Sequence, residues 1–262
     1  MAKDITLEQE EGIATVRFNR PDQRNAIDYH GWMELKRIAG QLERDDSVKV
    51  VVFTGAGDDA FSAGADIKDF DLYRDDSDRA RVYAEAFDGA MDAIESLSKP
   101  TICLIKGFCV GGGCELSMAT DIRIAADNSR FGIPVARIGI LVGYREMRRM
   151  LNLVGPGNAS YILLSGQMID ANEALRIGLV NRVVALDEIQ GHTYQLAREI
   201  VPLAPLSQRR NKRILQTVLR NPSLTGLTSE EEALPFTNFD SEDFREGRRA
   251  FLERRTPRFK GR

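Results

Sequence analysis

Short apolar runs alternate with longer amphipathic stretches along the first 186 residues of the chain. The runs Ile5–Leu7 and Ile13–Phe18 lie on either side of Glu11-Gly12, a pattern that predicts a β-hairpin. Asp28–Glu43 has apolar residues at helical spacing and begins with an aspartate, a preferred N-cap residue. Val48–Thr54 is almost entirely apolar, which is typical of a strand covered on both faces. The pattern predicts an α/β core.

The same alternation continues towards residue 186. Thr101–Ile105 and Ile122–Ala125 have the composition of buried strands, and Gly112–Ala119 lies between them as a predicted helix. Asp69–Arg81 is rich in charged residues, and we interpret it as a polar insert without regular structure that precedes a helix over Val82–Leu97. Strands that alternate with helices in this way predict stacked ββα units.

After residue 186 the pattern becomes helical, and no further strand is predicted. The predicted helices are Asp187–Val201, Leu206–Leu219, Ser229–Phe239 and Ser241–Arg254. A segment without strands cannot complete a sheet. We therefore divide the chain into a core over residues 1–186 and a C-terminal helical region over residues 187–262.

Composition narrows the class of protein. A chain of 262 residues that is 43% hydrophobic can bury a large core, and a net charge of −3 gives no electrostatic footprint for a nucleic-acid partner. The three cysteines form no Cys-x-x-Cys pair, and two histidines are too few for a His-rich metal site. The first residues contain no apolar targeting segment, and no run of 18 apolar residues follows. We expect a soluble, cytoplasmic protein with no membrane partner, no metal and no permanently bound cofactor.

Two glycine-rich segments, Phe61–Ile67 and Val110–Leu116, each combine an apolar run, small residues and a carboxylate at the start of a helix. Because the first N–H groups of a helix have no partner within it, both segments offer donors for a carbonyl oxygen that gains negative charge. Neither segment matches GxGxxG or GxxxxGK[ST], so a phosphate-binding loop of those types is not expected. Glu115 falls in the first turn of the second helix, where it is either a partner of the helix dipole or a general acid/base.

Further short motifs follow one another in a specific order. With the two glycine segments, the motifs are Phe18-Asn-Arg-Pro21, Arg24-Asn-Ala26, Phe61-Ser-Ala-Gly-Ala-Asp66, Lys99-Pro100, Gly111-Gly-Gly-Cys-Glu115, Phe131-Gly-Ile-Pro134, Glu173-Ala-Leu-Arg-Ile-Gly-Leu-Val-Asn181 and the C-terminal segment Glu246–Gly261. In this order they resemble the crotonase (enoyl-CoA hydratase/isomerase) superfamily, nearly from end to end. The resemblance implies a crotonase-like spiral core of stacked ββα units. It also implies an acyl-CoA substrate, with coenzyme A present only as part of that substrate.

The resemblance implies roles for individual residues. The N–H groups of Ala65 and Gly112 would polarise the thioester carbonyl, with Glu115 as the principal acid/base. The substrate pocket would include Gly111, Pro134 and Val135. The adenine and phosphates of coenzyme A would be bound by Arg24, Ala26, Ala63, Ala65, Asp66 and Ile67.

The resemblance also assigns functions to the C-terminal region. Residues 187–262 would cover the active site and join subunits into a homotrimer or a dimer of trimers. The last 19 residues, Phe244–Arg262, contain eight Lys or Arg and two acids. These basic residues either approach the phosphates of coenzyme A or form a solvated tail.

Two departures from the family pattern affect the expected chemistry. Hydratases and isomerases of the family carry an acid directly after Pro134, where this chain has Val135, and valine cannot transfer a proton. The next loop has Tyr144, Arg145 and Glu146 at positions where glycine-type residues are common. Hydration or isomerisation would then depend on Glu115 alone, or on Glu115 with Glu146 or Tyr144.

Other activities remain open at this point. Decarboxylation of a malonyl-type acyl-CoA needs only a stabilised enolate and a pocket that leaves the carboxylate poorly solvated. Thioester hydrolysis is a third reaction, and a CoA-thioester-binding protein without turnover is an alternative of a different class. The leading interpretation is a lyase of the enoyl-CoA hydratase/isomerase type that acts on an acyl-CoA through an enolate held in an oxyanion hole.

Overall fold

The computed structural model describes residues 3–262 and contains ten β-strands and ten α-helices in that range. The strands are β1 (Ile5–Glu10), β2 (Ile13–Phe18), β3 (Val50–Gly55), β4 (Ala60–Ser62), β5 (Thr101–Ile105), β6 (Phe108–Val110), β7 (Ile122–Ala126), β8 (Arg130–Gly132), β9 (Ile169–Asp170) and β10 (Arg182–Val184). The helices are α1 (Tyr29–Arg44), α2 (Phe70–Tyr73), α3 (Ser77–Glu95), α4 (Gly112–Met118), α5 (Tyr144–Ser165), α6 (Ala171–Arg176), α7 (Ile189–Ile200), α8 (Pro205–Arg220), α9 (Ser229–Thr237) and α10 (Glu242–Glu253).

The strands form two sheets. The larger sheet has the order β1-β2-β3-β5-β7-β10, and its neighbouring strands are parallel except in the β1–β2 hairpin. The smaller sheet has the order β4-β6-β8-β9, in which only β8 and β9 are antiparallel. Parallel neighbours require crossover connections, and helices supply most of them. The predicted α/β class is confirmed.

Both faces of the larger sheet are covered, and β3 is buried along its whole length. Val51 and Phe53 belong to the larger core cluster, which also contains Trp32 of α1. Val50 and Val52 belong to a second cluster, which α7 closes on the other face. Since successive side chains of a strand lie on opposite faces, a strand covered on both faces is apolar at every position. This accounts for the apolar run in the sequence.

The smaller sheet brings the two glycine-rich segments together. β4 ends at Ser62 and β6 ends at Val110, and the two strands pair in parallel. Their C-terminal ends therefore lie side by side, and each leads into a helical turn. Strands of three residues leave no clear periodic signal, so the sequence predicted neither their limits nor their pairing.

The interpretation of Asp69–Arg81 as an insert without regular structure is wrong. α2 lies within this segment, and α3 begins at Ser77 rather than at Val82. The carboxylate of Asp76 caps α3, because it accepts hydrogen bonds from the two N–H groups of Asp78 and Arg79 at 2.9 and 2.8 Å. Most residues of the first turn of α3 are exposed, so this turn needs no apolar face and carries no helical periodicity.

The region 187–262 is helical, as predicted, and no strand follows β10 within the described residues. α7 packs against the larger sheet through Ile189, Ala197 and Ile200. α8 is joined to the core by Lys212, whose ammonium lies 2.7 Å from the carboxylate of Asp121. In residues 3–262, no helix has the length and apolar character needed to cross a membrane.

Candidate active site

A cavity of about 450 Å³ lies where the ends of β4 and β6 approach α2, α3, α4 and the start of α5. Its wall contains most of the residues that the sequence singled out, together with aromatic residues of α2 and α3. The predicted site residues in the wall are Ala63, Ala65, Ile67, Gly111, Gly112, Glu115, Pro134, Val135 and Glu146. The fold therefore brings two distant glycine segments and two glutamates to one space.

The loop after β4 leaves one amide unused. The N–H of Gly64 donates to Oγ of Ser62 at 3.0 Å, and the N–H of Asp66 donates to the carbonyl of Ile27 at 2.9 Å. Between them, the N–H of Ala65 donates to no other atom of residues 3–262. Because Ala65 borders the cavity, its amide is available to a bound molecule.

A second unused amide belongs to Gly112, the first residue of α4. The preceding amide, that of Gly111, donates to the carbonyl of Gly132 at 2.8 Å. The N–H of Gly112 cannot donate within its own helix, because the first four N–H groups of a helix have no acceptor there. Like Ala65, Gly112 borders the cavity.

Gly64 allows the two loops to touch. Its φ of +90° favours glycine, and a Cβ at this position would lie 2.6 Å from the nitrogen of Gly112 and 2.7 Å from the carbonyl oxygen of Val110. Any larger residue would push the loops apart. Two free amides on neighbouring loops are the arrangement that can stabilise an oxyanion.

Glu115 lies in the first turn of α4 and borders the cavity, although only 7% of the residue is exposed. Burial, together with the nearby charge of Glu146, raises the pKa of Glu115 to about 8, and Arg74 opposes this shift. The carboxyl group is therefore mostly protonated at neutral pH. In that form it can donate a proton to a bound molecule.

Glu146, in the first turn of α5, brings a further carboxyl group to the cavity, whose wall also contains Asp88 of α3. Its Oε1 accepts a hydrogen bond from Nη1 of Arg149 at 3.1 Å. Burial raises the pKa of Glu146, whereas the charge of Arg149 favours the ionised form. Arg149 is itself held by the carboxylates of Asp92 and Glu95 at 2.6 and 2.8 Å. Glu115 and Glu146 thus have different surroundings, since Glu146 has an arginine partner among the described residues and Glu115 has none.

Val135 lies in the cavity wall, at the position where the family resemblance predicts an acid. It is the first residue of the 3₁₀ helix Val135–Ile138, is half-buried and packs against the larger core cluster. Glu146, which the sequence offered as one of two substitutes, brings its carboxyl group to the same cavity.

The other substitute, Tyr144, does not reach the cavity, contrary to the prediction. Tyr144 is 97% exposed and begins α5, two positions before Glu146. Each residue turns an α-helix by about 100°, so side chains two positions apart point in nearly opposite directions. Because Glu146 faces the cavity, Tyr144 faces solvent. Arg145 is directed towards α3, with its Nε 4.0 Å from the carboxylate of Asp88.

Three residues expected to bind coenzyme A lie outside the cavity wall. Arg24 is exposed, and its guanidinium carbon lies 4.9 Å from the centre of the Phe108 ring. Ala26 is half-buried in the same loop. The carboxylate of Asp66 is paired with Arg20 at 2.9 Å, so it stabilises the loop rather than facing the cavity. Contacts of these residues with coenzyme A remain predictions.

Sequence reasoning missed the polar side chains that support the loop after β4. Oγ of Ser62 donates to the carbonyl of Asn25 at 2.8 Å, and Nδ2 of Asn25 donates to the carbonyl of Ala60 at 2.7 Å. Asn25 is 1% exposed and has a φ of +55°, a conformation that asparagine tolerates better than most residues. The motif Arg24-Asn-Ala26 contained this residue, but nothing in the sequence indicated its burial or its partners.

The C-terminal region contributes nothing to the cavity wall of the described chain, because all lining residues lie between Ala63 and Glu146. α7 packs on the face of the larger sheet opposite the cluster that contains Phe61 and Leu116. The expectation that residues 187–262 cover the site stays a prediction.

The sequence and the fold match characterised proteins over almost their full length. Residues 8–262 match the family model described as enoyl-CoA hydratase/isomerase. The chain is 36% identical to the short-chain-enoyl-CoA hydratase of Clostridium acetobutylicum, over 96% of this chain and 95% of that protein. It is 35% identical to the crotonyl-CoA hydratase of Syntrophomonas wolfei, over 98% of each.

Solved structures agree with the sequence matches. An enoyl-CoA hydratase/carnithine racemase from Magnetospirillum magneticum has a TM-score of 0.95 and 35% identity, over 100% of this chain and 97% of that one. An enoyl-CoA hydratase from Bacillus anthracis has a TM-score of 0.92 and 31% identity, over 99% of this chain and 100% of that one.

Two mainly parallel sheets, with a cavity at the glycine-rich loops that follow β4 and β6 of the smaller sheet, define an α/β enzyme of the crotonase class. The chain belongs to the enoyl-CoA hydratase/isomerase family. The crotonase-like fold and the hydratase/isomerase type of enzyme, both predicted from the order of the motifs, are thereby confirmed.

Proposed function

We propose that this enzyme catalyses the reversible addition of water to a short 2-enoyl-CoA. One observation carries the proposal: Glu115 and Glu146 border the same cavity as the two free amides of Ala65 and Gly112. Hydration needs a base for the water, an acid for the carbon next to the thioester and a stabiliser for the enolate between these steps. The two relatives from Clostridium and Syntrophomonas, named as hydratases of short enoyl thioesters, support this choice.

The two carboxyl groups take different roles in the proposed mechanism. Glu146, whose carboxyl group is paired with Arg149, accepts a proton from water as the oxygen bonds to C3 of the enoyl group. The electron pair of the double bond moves towards the thioester, and the amides of Ala65 and Gly112 stabilise the resulting enolate oxygen. Glu115 then gives its proton to C2, and exchange with solvent returns both carboxyls to their starting states. Environments that separate the pKa values of two acids commonly define such a pair.

The substrate's coenzyme A portion is proposed to lie across the loops that precede the cavity. Ala63, Ala65 and Ile67 line the wall, and Ile67 is 63% exposed. Arg24 and Ala26 belong to the neighbouring loop, which pairs with this segment through the N–H of Ala63 and the carbonyl of Arg24 at 2.9 Å. This adjacency supports the proposed contacts with the adenine and phosphates.

We also propose that the enzyme works as a homotrimer or as a dimer of trimers. Large apolar side chains are exposed along the C-terminal region of the single chain, which favours burial against another subunit. They include Leu203, Leu215, Leu219, Leu224, Phe236, Phe239, Phe251 and Leu252. A neighbouring subunit would supply the cover that residues 187–262 do not give to their own cavity. The predicted cytoplasmic location stays a prediction.

Decarboxylation of a malonyl-type acyl-CoA is the second candidate. It is favoured by Val135, an apolar side chain in the cavity wall beside Pro134. An apolar wall leaves a substrate carboxylate poorly solvated, and the two amides suffice to hold the enolate that forms when CO₂ departs. Glu115 would then supply the proton that replaces the lost carboxylate.

A panel of CoA thioesters tests the choice between these reactions. We expect the purified enzyme to hydrate crotonyl-CoA, measured as loss of the ultraviolet absorbance of the conjugated double bond. We expect no CO₂ from methylmalonyl-CoA and no free thiol from butyryl-CoA. Rapid CO₂ release without hydration would establish the decarboxylase, and thiol release would establish a thioesterase. Tight binding of all three with no chemical change would leave a CoA-thioester-binding protein.

Val135→Glu is expected to raise the hydration rate of crotonyl-CoA by about 10-fold. It adds a carboxylate beside Glu115, in addition to that of Glu146, and so supplies a further part of the usual benefit of general acid–base catalysis. The new carboxylate should also raise the pKa of Glu115, since two close carboxylates resist ionising together. The measurement is kcat/KM against pH. Val135→Gln is the matched control, because it has a similar shape without the charge. An equal gain in both variants, or none in Val135→Glu, would contradict a pocket built for hydration.

A further inference from the structure

Two arginines in the cavity wall have no acidic partner. Arg74 and Arg137 both border the cavity, yet neither makes a salt bridge within residues 3–262. The nearby arginines of α5 differ, because Arg145 pairs with Asp92 and Arg149 pairs with Glu146. A cavity that keeps positive charges unpaired is suited to a ligand that brings its own anion.

Arg74 is held in place by aromatic rings rather than by acids. Its guanidinium carbon lies 4.7 Å from the centre of the Phe70 ring and 4.8 Å from that of Tyr83. Tyr83 is fixed in turn, since its Oη accepts a hydrogen bond from Nε1 of Trp32 at 2.8 Å. Contacts with ring faces orient a guanidinium without using its N–H groups. The backbone N–H of Arg74 donates to the carbonyl of Phe70 at 2.9 Å, but its guanidinium donates to no acceptor among the described residues. The edge of the guanidinium is therefore available for a carboxylate.

The position of Arg74 relates it to the reacting end of the cavity. Arg74 and Glu115 border the same cavity, and the charge of Arg74 lowers the pKa of Glu115, which opposes the effect of burial. Ala63 and Ile67, where we propose that coenzyme A lies, are in the loop before α2, whereas Arg74 follows α2. The ring of Tyr83, which contacts Arg74, lies 6.4 Å from the ring of Phe87, centre to centre, and a Cβ on Gly112 would lie 3.0 Å from Cε2 of Phe87. Two aromatic side chains thus connect Arg74 with the proposed oxyanion site.

We propose that Arg74 binds a carboxylate at the far end of the acyl group, so that the preferred substrate is the CoA monothioester of a short dicarboxylic acid. Arg137, on the 3₁₀ helix Val135–Ile138, adds a second positive charge to the same wall. The inference rests on the proposed function only in that it takes the thioester to lie at Ala65 and Gly112. A planar guanidinium suits a carboxylate because it can donate two parallel hydrogen bonds.

Binding of two saturated thioesters tests this inference without any need for turnover. Glutaryl-CoA and pentanoyl-CoA have the same acyl length, and only the first ends in a carboxylate. By calorimetry, we expect the unmodified enzyme to bind glutaryl-CoA more tightly. Arg74→Gln should weaken glutaryl-CoA binding by roughly 10–100-fold, the usual effect of losing a charge-assisted pair, and change pentanoyl-CoA binding by less than about 3-fold.

Matched variants separate charge, position and folding. Arg81→Gln removes an exposed arginine of α3 outside the cavity wall and should leave both affinities unchanged. Arg74→Lys keeps the charge without the paired donors. Its affinity for glutaryl-CoA should therefore lie between that of the unmodified enzyme and that of Arg74→Gln. Thermal unfolding of each variant shows that it is folded.

Two results would overturn the inference. Equal affinity of the unmodified enzyme for glutaryl-CoA and pentanoyl-CoA would show that no carboxylate is recognised. If Arg74→Gln bound both thioesters and free coenzyme A with equally reduced affinity, this would show that Arg74 binds the phosphates of coenzyme A instead. Failure of the enzyme to hydrate any enoyl-CoA would reject the proposed reaction but would leave these binding results to decide the role of Arg74.

Discussion

Glu115→Gln is expected to reduce kcat for hydration of an enoyl-CoA by roughly 10²–10⁴-fold, the contribution typical of a positioned general acid or base. Glutamine keeps the size of the side chain and its hydrogen-bonding capacity but has no proton to give to C2. In the unmodified enzyme, kcat/KM should fall above about pH 8, because the pKa of Glu115 is raised to about 8 and the donor form is lost beyond it. Stopped-flow or steady-state hydration across pH measures both effects.

The stability of the same variant provides the control. Between the ordinary pKa of 4.5 and the folded-state value of about 8, the native protein keeps a proton that the unfolded chain releases. Stability of the unmodified enzyme should therefore decline as pH rises through this interval. Glu115→Gln lacks this decline and should be more stable at pH 9, by an amount on the order of a few kcal/mol. A folded variant with unchanged hydration would remove Glu115 from the mechanism.

Gly112→Pro is expected to reduce kcat by roughly 10²–10³-fold, because it deletes one of the two amides that hold the enolate oxygen. Proline is otherwise well suited to the first position of a helix, where its missing N–H has no acceptor within the helix. The loss should appear mainly in kcat rather than in KM, since the oxyanion develops its charge only during reaction. Steady-state kinetics with crotonyl-CoA separates the two constants.

Crowding at this position requires a second variant. A Cβ on Gly112 would lie 3.0 Å from Cε2 of Phe87 and 3.3 Å from the nitrogen of Ala65. Gly112→Ala introduces that Cβ but keeps the amide, so the difference between the alanine and proline variants isolates the N–H group. The two-amide mechanism predicts a much smaller loss in Gly112→Ala. If both variants were folded and lost kcat equally, crowding would account for the effect, and the proposed oxyanion hole would be contradicted.

The proposed chemistry depends on how the fold distributes charge around one cavity. Glu115 is buried without a cation partner and holds its proton, whereas Glu146 is paired with Arg149. Arg74 remains unpaired and offers its donors to the substrate. On an exposed surface, water would screen the charges of such carboxyl and guanidinium groups, and their interactions would be weak. Burial gives each one a separate role.

The local sequence was sufficient to predict the parts of the fold that have a strong pattern. The apolar run at β3 follows from a strand covered on both faces, and the start of α1 follows from its capping aspartate, since Oδ1 of Asp28 accepts the N–H of Gly31 at 2.6 Å. The glycine segments indicated unpaired N–H groups at the starts of two helices, and the family resemblance assigned these groups to Ala65 and Gly112. The position of Glu115 in the first turn of α4 followed from the same segment.

Only the tertiary structure decided which of these groups meet. β4 and β6 are too short to carry a periodic signal, yet their parallel pairing brings Ala65 beside Gly112. The turn of α5 separated Glu146, which faces the cavity, from Tyr144, which faces solvent, although the sequence offered both equally. The charge state of Glu115 also depended on the fold, because its pKa is raised by burial and by the charge of Glu146, which lies far along the chain. The order of residues along the chain determines local helix and strand geometry. The distances between remote residues, their burial and the electrostatic effect of one on another arise only when the chain is packed.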